Sequence, residues 1–391
     1  MYKYTYTYVG NKGEMMKFTA LNVSLGDSFL LEIDSKKILV DTGNSRNECE
    51  NLLSAKQIKN LDLIIITHYD SDHINGLLEV LESNISVTEI WLPENFGRIK
   101  ETLKEKKDNL LKKIINNDAE PEYLHSKIII ETNTSKRYTH IFININDDND
   151  ITSNKVVSYI RYLEKKNNIS EKVIKNMNDN TVNVIQPLSN ILITYIEKRH
   201  IIKIDKIVNE CENKKIKIRW MKYTHKLENK KVNNNINLLC VNGKENKNIK
   251  EYIDDIETIY YLSKINSESL VYKYHSNDKT PNVLFSADSG FEFLGKKEKI
   301  KLNNNSLITA AHHGSSDQKN INTYRLVNGE NLIYVRSYHN QIKKPCCEYI
   351  RLEGKYCVKC INDNTTNEII LDYNNGWNTK RKKCSCSINN C

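Results

Sequence analysis

Glycine and proline are scarce in this chain, at 13 and 5 of 391 residues. That excludes a collagen-like repeat and a linker-rich, low-complexity architecture. No apolar run reaches the ~18 residues of a membrane span, which excludes a membrane channel, and no membrane partner is expected. Residues 1–10 (MYKYTYTYVG) contain no apolar core of a secretory signal, so the expected location is cytoplasmic. Length excludes a small disulfide scaffold. Hydrophobic residues make up 39% of the chain, enough to bury a core.

The formal net charge is +9. A basic chain invites a polyanionic partner. However, Arg supplies only 10 of the 58 basic residues, and Asn, Ile and Tyr are abundant beside the Lys. The charge therefore reads mainly as a compositional bias. Its one local concentration is Lys380-Arg381-Lys382-Lys383. Of ten cysteines, seven fall in the last 46 residues. Cys357-x-x-Cys360 and Cys384-x-Cys386 supply donors enough for one tetrahedral structural zinc, although the second pair is spaced by one residue rather than two. Free thiols and a disulfide or redox role stay open beside that reading.

Residues 1–16 form a polar, Tyr-rich lead-in. Strands are expected at 17–24, 29–33 and 37–40, a helix at 48–57, and a buried strand at 61–67 (LDLIIIT). A second helix is expected at 74–81 and a strand at 87–92. Residues 97–264 differ in style, being dominated by Lys, Asn and Glu. There the spacing predicts an amphipathic helix over 98–117 and strands at 191–196 and 214–220. From 265 the earlier style returns, with strands at 269–274, 282–286, 307–311, 331–335, 356–361 and 368–372, and a short helix at 349–352. Residues 355–377 read as a closing hairpin, and 378–391 as a basic, Cys-rich tail.

Three motifs carry chemistry. Thr67-His68-Tyr69-Asp70-Ser71-Asp72-His73 places four metal-competent side chains within six residues, directly after a buried strand. Side chains two apart in an extended loop face one way, so His68 and Asp70 can grip one cation. Imidazole with carboxylate suits Zn²⁺, Mn²⁺ or Fe. Asp288 closes a second apolar strand (Leu284 to Gly290), and His312-His313-Gly314-Ser315 closes a third. Alone, each of these last two also reads as an ordinary turn or cap.

In this order, the three motifs resemble the metallo-β-lactamase superfamily, and within it the branch named for the hydrolase domain of the ComEC competence protein. The resemblance includes Gly26-Asp27-Ser28, Asp41-Thr42-Gly43, His68 to His73, Asn266 with Ser269-Leu270-Val271, Asp288, and His312 to Ser315. It covers 17–96 and 265–377, with 97–264 as a large mixed α/β insertion that serves as specificity or partner module. It implies an αββα sandwich of α/β class. It further implies a metal set of His68, Asp70, Asp72, His73, Asp288 and His313, holding one or two Zn²⁺ ions or Mn²⁺. Asp72 and His312 are the expected catalytic groups, and the roles of His312 and His313 are interchangeable at this stage. The second His of the signature is Asp70 here, and the third ligand of the first position is unassigned; His125 and His140 are within range. The implied activity is metal-dependent hydrolysis, with a phosphodiester in DNA or RNA as leading substrate. The alternatives are a catalytically weak binding or regulatory subunit that uses its insertion for protein partners, and a hydrolase of an amide or lactam bond.

Overall fold

A computed structural model describes residues 15–101, 128–134, 137–143, 174–175, 202–228, 236–247, 249, 268–275, 277–278, 280–315, 322–337, 345–360, 367–384 and 386. The first expected elements form close to their expected places: β1 (Met16–Ala20), β2 (Phe29–Ile33), β3 (Lys36–Val40), α1 (Glu48–Ala55) and β4 (Asn60–Ile65). The single helix expected at 74–81 is two short ones, α2 (Ser71–Ile74) and α3 (Leu77–Glu82). They break at Asn75-Gly76. A Cβ on Gly76 would stand 2.6 Å from the Thr42 carbonyl oxygen, so close backbone approach explains the glycine. β5 (Ser86–Pro93) follows.

Contacts divide the chain into two units. One comprises 95–209 and 248–264. Its described strands are β6 (Ile128–Thr134), β7 (Arg137–Ile143) and β8 (Ile174–Lys175), in the order β7-β6-β8. Its expected helix is observed only at its start, where 98–101 are helical; the rest of that helix, the expected strand at 191–196 and His125 lie outside the described residues.

The other unit comprises the remainder, including 210–247. That stretch contributes β9 (Lys217–Tyr223), β10 (Leu238–Cys240) and β11 (Gly243–Glu245). β9 lies within the span read from sequence as insertion, yet it pairs in parallel with β5, Glu89 opposite Lys217 and Trp91 opposite Arg219. The remaining strands are β12 (Tyr272–Tyr274), β13 (Val283–Phe285), β14 (Ile300–Lys301), β15 (Leu307–Thr309), β16 (Val327–Asn328), β17 (Ile333–Arg336), β18 (Lys355–Cys357), β19 (Ile369–Tyr373) and β20 (Trp377–Asn378). The short helix falls at Cys347–Ile350.

Two sheets stack in this unit. One runs β11-β9-β5-β4-β3-β2-β1-β19-β20, the other β10-β12-β13-β15-β17-β18. Phe18, Leu31, Val40, Leu63 and Trp91 from the first sheet pack with Tyr272, Phe285, Leu307 and Val335 from the second in one buried cluster. That is the core of a sandwich. Cys49 and Leu53 of α1 and Leu77, Val80 and Leu81 of α3 are buried as well. The architecture is therefore the α/β sandwich of the metallo-β-lactamase type.

The expected closing hairpin is corrected in its pairing. β18 lies parallel to β17 in the second sheet, while β19 lies antiparallel to β1 in the first. β19 makes its hairpin with β20 instead. Alternation marked both strands but carries no information about which sheet each joins.

β3 and β4 are parallel neighbours, as are β13, β15 and β17. The chain leaves these strands at Asp41, at Thr67-His68, at Asp288, at His312-His313 and at Ser337. All the chemistry-bearing motifs thus emerge at the carboxyl ends of parallel strands, where crevices form in α/β proteins.

Candidate metal centre

The carboxylate of Asp288 stands between two groups of donors. On one side, its Oδ1 is 3.3 Å from His73 Nε2 and 3.6 Å from His313 Nε2. Asp72 faces the same imidazoles, 3.1 Å from His313 Nε2 and 3.9 Å from His73 Nε2. On the other side, Asp288 Oδ2 is 3.8 Å from His68 Nε2, which is 3.9 Å from Asp70 Oδ2. His312 Nε2 is 3.3 Å from that same Oδ2. Donors ~2.0–2.2 Å from one ion are about 3–3.5 Å apart, so these separations are those of ligand sets. All six residues expected as metal ligands are therefore brought together. His312 stands on the opposite oxygen of Asp288 from His313.

Residues behind the imidazoles aim them. Asp41 Oδ2 accepts from the Thr67 hydroxyl and from His73 Nδ1, each at 2.8 Å. Having donated its proton to Asp41, the Thr67 hydroxyl accepts from His68 Nδ1 at 2.9 Å. His313 Nδ1 donates to Asp27 Oδ1 at 2.9 Å, and the Ser337 hydroxyl donates to the same oxygen. With the proton on Nδ1 in all three rings, each presents Nε2 to the cluster, the tautomer a metal site requires.

The electrostatics agree. Burial, helped by His73, pushes the His68 imidazole down to about 3, so the ring is neutral. Burial opposes charge on His313 too, but Asp27 and Asp288 outweigh it and raise the ring to about 10. Burial likewise opposes charge on Asp288, yet His312, His313 and His73 hold its carboxyl well below the usual range. Without an ion, protons on the imidazoles balance the carboxylates; ion binding displaces such protons.

Several buried atoms at the centre of the cluster make no hydrogen bond: His68 Nε2, His73 Nε2 and Asp288 Oδ1. Buried polar atoms are ordinarily satisfied. Cations held on the two sides of Asp288 would satisfy these atoms, so the residues present fit a metal.

The backbone here is unusual. Asp41, Ala287, His312 and His313 have φ of 58°, 48°, 47° and 52°, a region that L side chains rarely adopt. Gly26 has φ +92°, and a Cβ there would stand 1.8 Å from the carbonyl oxygen of Asp72. That oxygen accepts from Asp27 N at 3.0 Å, so Gly26 lets the Asp27 turn lie directly on the Asp72 loop.

Asp27, Asp41, Thr67 and Ser337 were not among the expected site residues. The Gly-Asp-Ser and Asp-Thr-Gly motifs were visible, but each also reads as a turn. The signal available was a carboxylate at a strand end among apolar residues. His140 lies on β7, across from Glu131 in the three-stranded sheet.

A family model described as the metallo-beta-lactamase superfamily matches residues 21–98. That match covers the first part of the sandwich, and over it the chain is similar to the metallo-β-lactamase superfamily. Among curated proteins, the exodeoxyribonuclease WalJ from two strains of Streptococcus pneumoniae is 46% identical over 56 residues, 14% of this chain. The chain spans 21% of the length of those relatives. Among solved structures, a new diphosphatase from the PhnP family is 18% identical at a TM-score of 0.17, over 33% of this chain and 63% of that one. Tm1679, a metal-dependent hydrolase of the beta-lactamase superfamily, is 13% identical at a TM-score of 0.28, over 82% of this chain and 87% of that one.

Proposed function

We propose that the chain is a metal-dependent hydrolase of phosphodiester bonds in DNA or RNA, of the ComEC-like branch, with DNA the first substrate to test. The observation that carries this reading is the placement of Asp288, whose two oxygens each face a separate set of imidazole and carboxylate donors. His68, Asp70 and Asp288 would hold one ion; Asp72, His73, Asp288 and His313 would hold the other. When bound, divalent ions at these positions polarise a phosphoryl oxygen and acidify water. Asp72, 16% exposed in its side chain where His73 and His313 are sealed, orients the attacking water and receives its proton. His312, 14% exposed on the outer side of Asp288, faces the phosphate or leaving oxygen. Asp27 and Asp41 keep their imidazoles aimed through the reaction. The choice of DNA is supported by the exodeoxyribonuclease relatives, and a polyanion suits the basic chain.

Zn²⁺ is the first metal to test. Asp70 in place of an imidazole also favours a harder ion such as Mn²⁺. Residues 95–209 and 248–264 form a unit of their own, and we assign choice of substrate or of a protein partner to them. No helix among the described residues is long and apolar enough to cross a membrane.

The test is metal analysis with nuclease assays on linear and circular DNA and on RNA, for the wild type and Asp288→Ala. The expected result is bound metal and cleavage by the wild type, with both lost in the variant. A metal-free wild type that cleaves nothing in Zn²⁺ or Mn²⁺ overturns the hydrolase reading. Bound metal with all nucleic acid intact overturns the substrate.

A further inference from the structure

The second cluster of metal donors lies outside the catalytic centre, at the end of the second sheet. Cys360 Sγ is 3.2 Å from Cys384 Sγ and 3.2 Å from Cys386 Sγ, and Cys384 Sγ is 2.8 Å from Cys386 Sγ. The sulfurs of Cys357, Cys384 and Cys386 all lie within 4.8 Å of one another. None of the four is in a disulfide. A disulfide requires ~2.0 Å between sulfurs. Four thiolates at ~2.3 Å from one zinc are about 3.8 Å apart. Cys360, Cys384 and Cys386 stand closer together than that, and Cys357 lies within 4.8 Å of Cys384 and Cys386.

The surroundings suit thiolates. Cys357, Cys360 and Cys386 are buried at 2%, 6% and 3% exposure. Buried Arg336 donates from Nε to Cys357 Sγ at 3.5 Å, and Tyr349 OH lies 3.7 Å from the same sulfur. Cys386 N donates to Cys384 Sγ at 3.3 Å. Burial opposes charge on the Arg336 guanidinium, but neighbouring Cys357, Tyr349 and Cys386 favour it and raise its pKa. A cation buried against sulfur, with its Nη2 on the Lys359 carbonyl at 2.8 Å, offsets the net double negative charge of a zinc tetrathiolate.

We propose that Cys357, Cys360, Cys384 and Cys386 bind one structural Zn²⁺ that fastens the C-terminal segment to β18. Each thiol gives its proton to solvent as the ion binds. The segment is already seated, since Cys384 N donates to the Lys355 carbonyl at 2.8 Å. Arg336 links the site to the catalytic centre, because the next residue, Ser337, donates to Asp27 and lies 3.0 Å from His313 Nδ1. The zinc thereby braces the strand end that aims His313.

The test uses the full chain carrying Asp288→Ala, so that the catalytic ions do not contribute. Zinc is counted by mass spectrometry, and Co²⁺ is substituted for absorption spectroscopy. The expected result is about one zinc per chain, a thiolate-to-cobalt charge-transfer band, and loss of both in Cys384→Ser/Cys386→Ser. Should that variant not fold, the cobalt spectrum of the unmutated cysteines decides alone. Absence of the charge-transfer band overturns the proposal. So does equal alkylation of the four thiols in native protein with and without chelator. Zinc persisting in the double variant also overturns it.

Discussion

Asp27 and His313 stand 286 positions apart in the chain, yet the Asp27 carboxylate accepts the Nδ1 proton of His313 at 2.9 Å. The contact joins the first loop of one sheet to the third loop of the other. It leaves Nε2 of His313 beside Asp72 and Asp288. Removing such a partner typically weakens metal binding 10–100-fold, about 1.4–2.7 kcal/mol. Asp27→Ala is expected to weaken the ion held by His73 and His313 by that factor while leaving the His68–Asp70 position nearly intact. Competition with a chromophoric chelator measures it; equal affinities for wild type and variant would sink the idea.

In the proposed first position, Asp70 stands with one imidazole, His68, and a second carboxylate, Asp288. Asp70→His would supply a second imidazole, a softer ligand. The expected outcome is a roughly tenfold shift in preference from Mn²⁺ toward Zn²⁺ at that position. Metal content after dialysis against an equimolar mixture reads this directly. An unchanged ratio would show that Asp70 does not contact the ion.

Gly26→Ala forces a Cβ into the Asp72 carbonyl at a left-handed φ. Strain of this kind costs about 1–3 kcal/mol before the overlap is relieved. The variant is expected to unfold at lower denaturant concentration and to lose activity more than stability, because relief moves Asp72. A variant with full activity would mean that the Asp27 turn is free to shift.

Glu89 ties β5 to β9. Its carboxylate accepts from Trp91 Nε1 at 2.7 Å, from Lys217 Nζ at 2.9 Å and from Arg219 Nε. Burial opposes its charge, but these donors outweigh burial and lower its pKa. A carboxyl lowered on folding stabilises the fold above its unfolded pKa, about 4.3, and that contribution fades as pH falls through the folded value. Glu89→Gln is expected to cost about 1 kcal/mol at neutral pH, with the gap to wild type closing below about pH 4. Urea titrations across pH 3–7 would show it, and a gap independent of pH would contradict the assignment.

The legible parts of this molecule are those whose signal is local. The strand before His68 to His73, Leu61 to Ile66, is apolar but for Asp62 and ends abruptly, so four metal-competent side chains within the next six loop residues demand an explanation. Asp288 and His312-His313 became readable only as members of an ordered set. The motifs holding Asp27 and Asp41 were visible but their role was not, for a physical reason: each acts through a hydrogen bond to a residue remote in sequence. The pairing of β9 with β5 was hidden in a similar way. Lys217 and Lys222 are exposed, so it reads like its Lys-rich surroundings, while Met221 alone is buried. The pairing of β18 and β19 with different sheets depends on which edges were already occupied, which no single strand encodes.

The left-handed turns at Asp41, Ala287, His312 and His313 have one more consequence. Four non-glycine residues in that conformation, within loops that surround a single carboxylate, make the metal centre the most tense part of an otherwise well-packed sandwich. A cation relieves the like charges there but not the backbone. The hydrogen bonds of Asp27 and Asp41 to His313 and His73 hold these turns in place. Local opening is therefore expected first at these loops rather than at the sheet edges, and hydrogen exchange with and without added divalent ion would read it.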